Sequence, residues 1–94
     1  MELSERCIQT LEKEGWPYVY EWSDASGTEY PEHSHQDKVV IFITEGSLSL
    51  TLDGETKELT VGDRLDIPPH TPHSAMVGPD GCQFVVGEMI EGDS

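Results

Sequence analysis

The residues of this 94-residue chain best suited to chemistry are its four histidines, His33, His35, His70 and His73, which occur nowhere else in it. His33 and His35 are separated by one residue on an expected strand, so their rings project from the same face. Two imidazoles on one strand face hold a single ion when a third ligand arrives from a neighbouring strand. His73, which opens a later strand after the Pro68-Pro69 turn, can supply it. Neutral imidazole suits one divalent transition metal (Fe, Ni, Zn, Cu, Co or Mn), whereas Mg and Ca prefer all-oxygen surroundings. His70 sits in the Pro-Pro-His-Thr-Pro-His loop, where the turn rather than strand alternation aims the side chain. It is expected behind the ligands, on the pocket wall or facing solvent. A lone His-x-His is more often a pair of surface histidines on an exposed strand, so the elements around it carry the weight.

Those elements alternate with a period of two. Tyr18, Tyr20 and Trp22 share a face, as do Leu48, Leu50 and Leu52, and Leu65 with Ile67. Val39 to Ile43 is apolar on both faces, so both must be covered. Turns are expected at Asp24–Gly27, Glu45-Gly46, Asp53-Gly54, Gly62-Asp63 and Gly78–Gly81, with Asp53-Gly54 the strongest hairpin signal. Ahead of the strands, Leu3, Cys7, Ile8 and Leu11 recur at helical spacing over residues 3 to 14, with Ser4 able to cap the start and Gly15 the end. One leading helix and seven or eight short strands read as an all-β fold, an antiparallel barrel or double-sheet jelly roll. The expected organisation is a helix at 1–15 packed on a barrel at 16–90, with a frayed tail at 91–94.

Composition narrows the partners. Five Lys and Arg against 19 Asp and Glu give a formal charge of −14, and Leu, Ile, Val and Phe make up only 21 of the 94 residues. That is close to the range in which a charged chain stays disordered, and the ordered periodicity decides for a fold. Arg6, Lys13, Lys38, Lys57 and Arg64 are scattered, which argues against nucleic acid. The longest apolar run, Val39 to Ile43, is far short of the roughly 20 residues of a membrane span. The start of the chain has no signal-peptide pattern, and Cys7 and Cys82 match no metal or redox motif, so a cytoplasmic location with reduced thiols is expected.

With Gly27 before His33-Ser34-His35 and Gly46 after it, and with Gly62, Pro68 and His73 at their spacing, residues 27 to 77 resemble the cupin superfamily, specifically its small single-domain members. The resemblance implies a cupin-type barrel, a metal held by His33, His35 and His73, and a homodimer formed through a sheet. The sequence departs from the family's motifs in three places. His70 stands at a glycine position, Val77 at an asparagine position, and Val39 (or Val40, with a gap one residue longer) where the family places an acidic ligand. The implied site therefore has three histidines and no carboxylate, with Val39 on the pocket wall. Asp37 is nearby, and it faces the site only if the strand is regular there.

Two functions follow from the resemblance. Three neutral ligands leave the metal its full charge and open positions, as in cupin-fold dioxygenases that act on thiols and diketones. The alternative is a non-catalytic barrel that binds or senses a small molecule. The fold alone does not choose between them.

Overall fold

The computed structural model describes residues 2–89; the expected tail at 91–94 lies outside the described residues. Helix α1 (Leu3–Glu14) closes on Gly15, whose φ of 95° is left-handed; its N–H returns to the Glu12 carbonyl and the Trp16 N–H to that of Leu11. Glu2 rather than Ser4 is the N-cap, and it makes no side-chain capping bond. Six antiparallel strands follow: β1 (Tyr18–Asp24), β2 (Glu29–His33), β3 (Lys38–Leu52), β4 (Glu55–Thr60), β5 (Arg64–Ile67) and β6 (His73–Met89).

Six strands do the work of the seven or eight expected because β3 and β6 are long and each serves both sheets. Their N- and C-terminal halves pair crosswise: residues 38–46 of β3 with 82–89 of β6, and 48–52 of β3 with 73–77 of β6. The first ladder is flanked by β1 and β5, the second by β2 and β4. The result is a two-sheet jelly roll in which one continuous pair of strands turns from sheet to sheet. Glu45-Gly46 and Gly78–Gly81, expected as turns, lie inside these strands. Thr44 has no partner opposite it, and Ser47 alone faces residues 78–81. Such bulges bend strands without ending them.

Gly46 makes the bend feasible. Its φ is +74°, and a Cβ built there would overlap the carbonyl oxygen of Gly81 on the facing strand. At the Asp53-Gly54 hairpin, by contrast, both residues have positive φ, as a two-residue type I′ turn requires, and a Cβ on Gly54 meets nothing.

Period two then sorts the apolar residues into two cores. Ile43, Leu48, Leu50, Leu59, Ile67, Val77, Cys82, Phe84 and Val86 fill the barrel. Val40 and Val85 point the other way and meet Cys7, Leu11 and Trp16, so α1 covers the outer apolar face. The helix expected at 1–15 is thus the cover of one of the two apolar faces of this strand. Glu14 fixes the helix end: Arg64 donates to both of its carboxylate oxygens, at 2.7 and 2.8 Å. These bonds, with a further one from the Trp16 indole, hold the Glu14 carboxyl down to about 2. Cys7 and Cys82 are free thiols buried in different cores.

The contrast between the two glycines is measurable by urea unfolding. Gly46→Ala combines a positive φ with backbone overlap and should cost about 3 kcal/mol or more, or prevent folding. Gly54→Ala carries only the φ penalty, about 1 kcal/mol. Equal losses would contradict a tight crossing at Gly46.

Candidate metal centre

The barrel is not filled to one end. A cavity of about 480 Å³ opens there, walled by Tyr20, Trp22, Tyr30, Val39, Ile41, Leu48, Leu50, Ile67, Ala75, Phe84 and Val86. The remaining lining is polar or ionisable: His33, His35, His73, Asp37 and Glu88. Apolar walls with a few convergent polar groups are the usual form of a small-molecule site.

The three histidines come from three different pieces of chain. His33 ends β2 and is the direct cross-strand partner of His73, the first residue of β6, which also pairs Leu52 of β3. His35 does not share a regular strand with His33, as alternation suggested; it lies in the connection between β2 and β3. Nor is β2 regular before His33. Its register against β6 slips between Tyr30 and His33, so an even-numbered and an odd-numbered residue both face the cavity. Pro31 sits at this slip and has no N–H for a ladder. The ring centroids stand 4.7 Å apart for His33 and His35, 4.4 Å for His33 and His73, and 5.0 Å for His35 and His73.

The donor atoms of these rings lie within 4.8 Å of one another. Two nitrogens bonded to one ion at about 2.1 Å are at most about 4.2 Å apart, so sub-ångström ring movement brings the set onto an ion. Hydrogen bonding to the rings fits the same use. Nδ1 of His33 lies 2.7 Å from the Pro31 carbonyl, and Nδ1 of His73 lies 2.9 Å from that of Thr71. A carbonyl only accepts, so each Nδ1 carries the proton and each Nε2 keeps a lone pair for a ligand bond. His73 is 6 % exposed and has no other side-chain hydrogen bond, which leaves its Nε2 buried without a protein partner among the described residues. The residues present fit a bound transition metal.

Electrostatics favours the neutral form of His35. Burial lowers the pKa of His35, and the neighbouring His33 and His73 lower it further; the Glu88 and Asp37 carboxylates pull weakly the other way. A neutral imidazole is the form that binds metal.

His70 is exposed and its ring does not line the cavity. Its backbone matters instead: the His70 N–H donates to the His35 carbonyl at 2.7 Å, tying down the segment that carries that ligand. His70 has a φ of 61°, one of two positive values at non-glycine residues among the described residues, which explains why a glycine suits this position of the motif. Val39 lines the cavity between Ile67 and Glu88 in the register, whereas Val40 is buried against the helix. Position 39 is thus the inward one. Asp37 lines the cavity but does not join the cluster of donor atoms.

Two features of this wall are not among the site residues expected from sequence, where Trp16, Trp22 and the tyrosines read as core or interface more readily than as pocket. One is aromatic: Tyr20, Trp22 and Tyr30 face inward, and Asp24 orders two of them by accepting from the Trp22 indole at 3.1 Å and from the Tyr30 hydroxyl. The other is Glu88. Its signal was present, since Cys82, Phe84, Val86 and Glu88 alternate along one inward face of the last strand and the final member is a carboxylate. Trp16, by contrast, belongs to the core under the helix.

Comparison with known proteins agrees with this geometry. A 53-residue stretch, 55 % of this chain, is 45 % identical to a quercetin 2,3-dioxygenase of Bacillus subtilis (strain 168) but spans only 16 % of that protein's length. Among solved structures, an RmlC-like cupin from Shewanella frigidimarina NCIMB 400 superposes with a TM-score of 0.69 at 29 % identity, over 80 % of this chain and 68 % of that one. A cupin protein from Bacteroides fragilis superposes with a TM-score of 0.66, also at 29 % identity, over 81 % and 70 % of the two chains. The family described as the cupin domain matches residues 20–86, a span that holds all three inward histidines, the whole of β3 and most of β6, and the chain therefore belongs to the cupin family.

Proposed function

We propose that His33, His35 and His73 hold one divalent transition metal, and that the cavity above it takes a small molecule for oxidation by dioxygen. The convergence of three imidazoles on one point of a largely apolar cavity, two of them with Nδ1 held by a backbone carbonyl, carries this reading. An ion in that position supplies Lewis acidity and, as iron, electron transfer toward dioxygen. The chain's own residues do the rest. The carbonyls of Pro31 and Thr71 orient two rings, and the His70 N–H positions the third. Tyr20, Trp22, Tyr30 and Phe84 offer flat apolar surface to a substrate and exclude water. The likeness to a quercetin 2,3-dioxygenase over just over half of this chain supports the oxidative form of the reading.

The wider setting belongs to the same proposal. Two buried free thiols fit a reducing, cytoplasmic location. No helix among the described residues is long and apolar enough to cross a membrane. Scattered basic residues on a chain of charge −14 do not suit nucleic acid. A homodimer is supported by β1, whose outer edge has no partner strand among the described residues and whose Tyr18 is 54 % exposed.

Untagged protein should carry about one first-row metal per chain by elemental analysis, and His33→Ala, His35→Ala or His73→Ala should weaken its binding at least about tenfold. His70→Gly keeps the N–H and should keep the metal. Unchanged metal content in all three alanine variants would refute the site. If iron-loaded protein takes up dioxygen in proportion to added quercetin, the oxidative reading stands; metal and quercetin bound without uptake would make the chain a binding module.

Acid should empty the site. Because the folded protein disfavours the protonated form of His35, its contribution to stability is present above about pH 6.5 and is lost as pH falls through the lower folded value. Metal occupancy followed by dialysis should therefore drop below about pH 6. Full occupancy at pH 4.5 would contradict imidazole ligation. Sedimentation at micromolar concentration should show a dimer, and a monomer there would remove that part of the proposal.

A further inference from the structure

Four aromatic rings line the cavity beside the histidines: Tyr20 and Trp22 of β1, Tyr30 of β2 and Phe84 of β6. Trp22 and Phe84 are direct cross-strand partners, so their Cβ atoms stand about 4.5–5.5 Å apart. Trp22 and Tyr30 meet through one carboxylate. Asp24 accepts from the Trp22 indole on Oδ1 at 3.1 Å and from the part-buried Tyr30 hydroxyl on Oδ2, although β1 and β2 flank different stretches of β6. Asp24 is not itself in the lining, so it charges the ring edges from outside the cavity. Burial first, and Asp24 second, raise the Tyr30 phenol, which stays a donor and leaves the charge on Asp24. The side-chain cations that do lie over rings are elsewhere: Lys38 at 5.5 Å from the Trp16 centroid and Arg64 at 5.3 Å from that of Phe42. No Lys or Arg lines the cavity among the described residues, and its carboxylates are Asp37 and Glu88.

We propose that Trp22, Tyr30 and Phe84 form a cation-binding wall that selects small molecules carrying a quaternary ammonium group. The inference rests on the reading that this cavity takes a small molecule, and it needs no metal. An aromatic face carries negative charge, and a ring that donates its N–H or O–H to a carboxylate is polarised further in that direction. A cation over such faces gains about 0.5–2 kcal/mol from a ring. A quaternary ammonium suits the wall better than a primary one, because it has no N–H that the faces would leave unsatisfied. An anion would meet the carboxylates on and behind the lining, and a neutral apolar group would make no use of them. The chain's charge of −14 draws cations toward the mouth in the same sense.

Choline and its uncharged isostere, in which a tert-butyl group replaces the trimethylammonium, share shape and hydroxyl and differ in charge. Binding of each is measured by calorimetry at neutral pH and about 0.15 M salt, which screens diffuse attraction to the acidic surface. The protein is used as purified and again after EDTA treatment. Choline should bind at least about tenfold more tightly than the isostere in both preparations. Its methyl proton resonance should move upfield, the mark of a position over ring faces. Trp22→Leu, at a residue 49 % exposed, should weaken choline about fivefold or more while the isostere's affinity and the thermal midpoint change little. Asp24→Asn, which removes the charge and keeps an acceptor, should weaken choline in the same selective way. Choline that does not bind at millimolar concentration, an isostere that binds as tightly, or a methyl resonance that stays in place would each overturn the wall as a cation site. So would choline affinity untouched by Trp22→Leu or by Asp24→Asn, and so would choline bound only by the protein before EDTA. A chain that takes up no first-row metal and still binds choline would overturn the metal reading alone and leave this wall standing.

Discussion

The pairing of β3 with β6 is the constraint on which everything else in this molecule depends. Each strand is longer than a single sheet can use, and the two cross from one sheet to the other together. Two backbones can make that crossing only where no side chain stands between them, and Gly46 against Gly81 meets this condition. Once the pair bends, its two ladders gather the other four strands as flanks, two on each sheet. The apolar residues on the concave faces then close on one another as the barrel core, and those on the convex face of the first ladder are left to the helix.

The same crossing makes the site. β6 begins at His73 and ends beyond Glu88, and because the strand serves both sheets, both residues line one cavity. His33 arrives because β2 pairs the first part of β6, and His35 because the chain must then travel from β2 to β3 over the cavity mouth. The three histidines are therefore fixed by three unequal devices: a register pair, a bulge next to a proline, and a connection pinned by one backbone hydrogen bond. Carbonyl acceptors behind His33 and His73 set the tautomer of each ring, so the free Nε2 of each is a product of the fold.

Charge is distributed against the needs of the centre. The chain carries −14 overall, yet the cavity holds only Asp37 and Glu88 among its acids. A negative surface raises the local concentration of cations and disfavours anions at a distance.

The sequence by itself determined the alternation that makes an all-β fold, the helix at 3–14, the Asp53-Gly54 hairpin and the three histidines with their spacing. These are local properties: each depends on residue types within a few positions, and period and turn chemistry report them directly. The motif around His33, His35, Gly62 and His73 was legible as well, from residue types and their spacing. Only the tertiary structure decided that Glu45-Gly46 and Gly78–Gly81 bend long strands instead of ending them, since a bulge and a turn use the same residues and differ in what lies opposite. It also decided that His35 leaves the strand, that His70 acts through its backbone at a positive φ, and that position 39 and not 40 faces the cavity. Glu88 shows the limit most plainly. Its inward face could be read from Phe84 and Val86, but its position beside Val39 depends on a ladder between residues 49 positions apart in the chain, and register over that distance is set by packing.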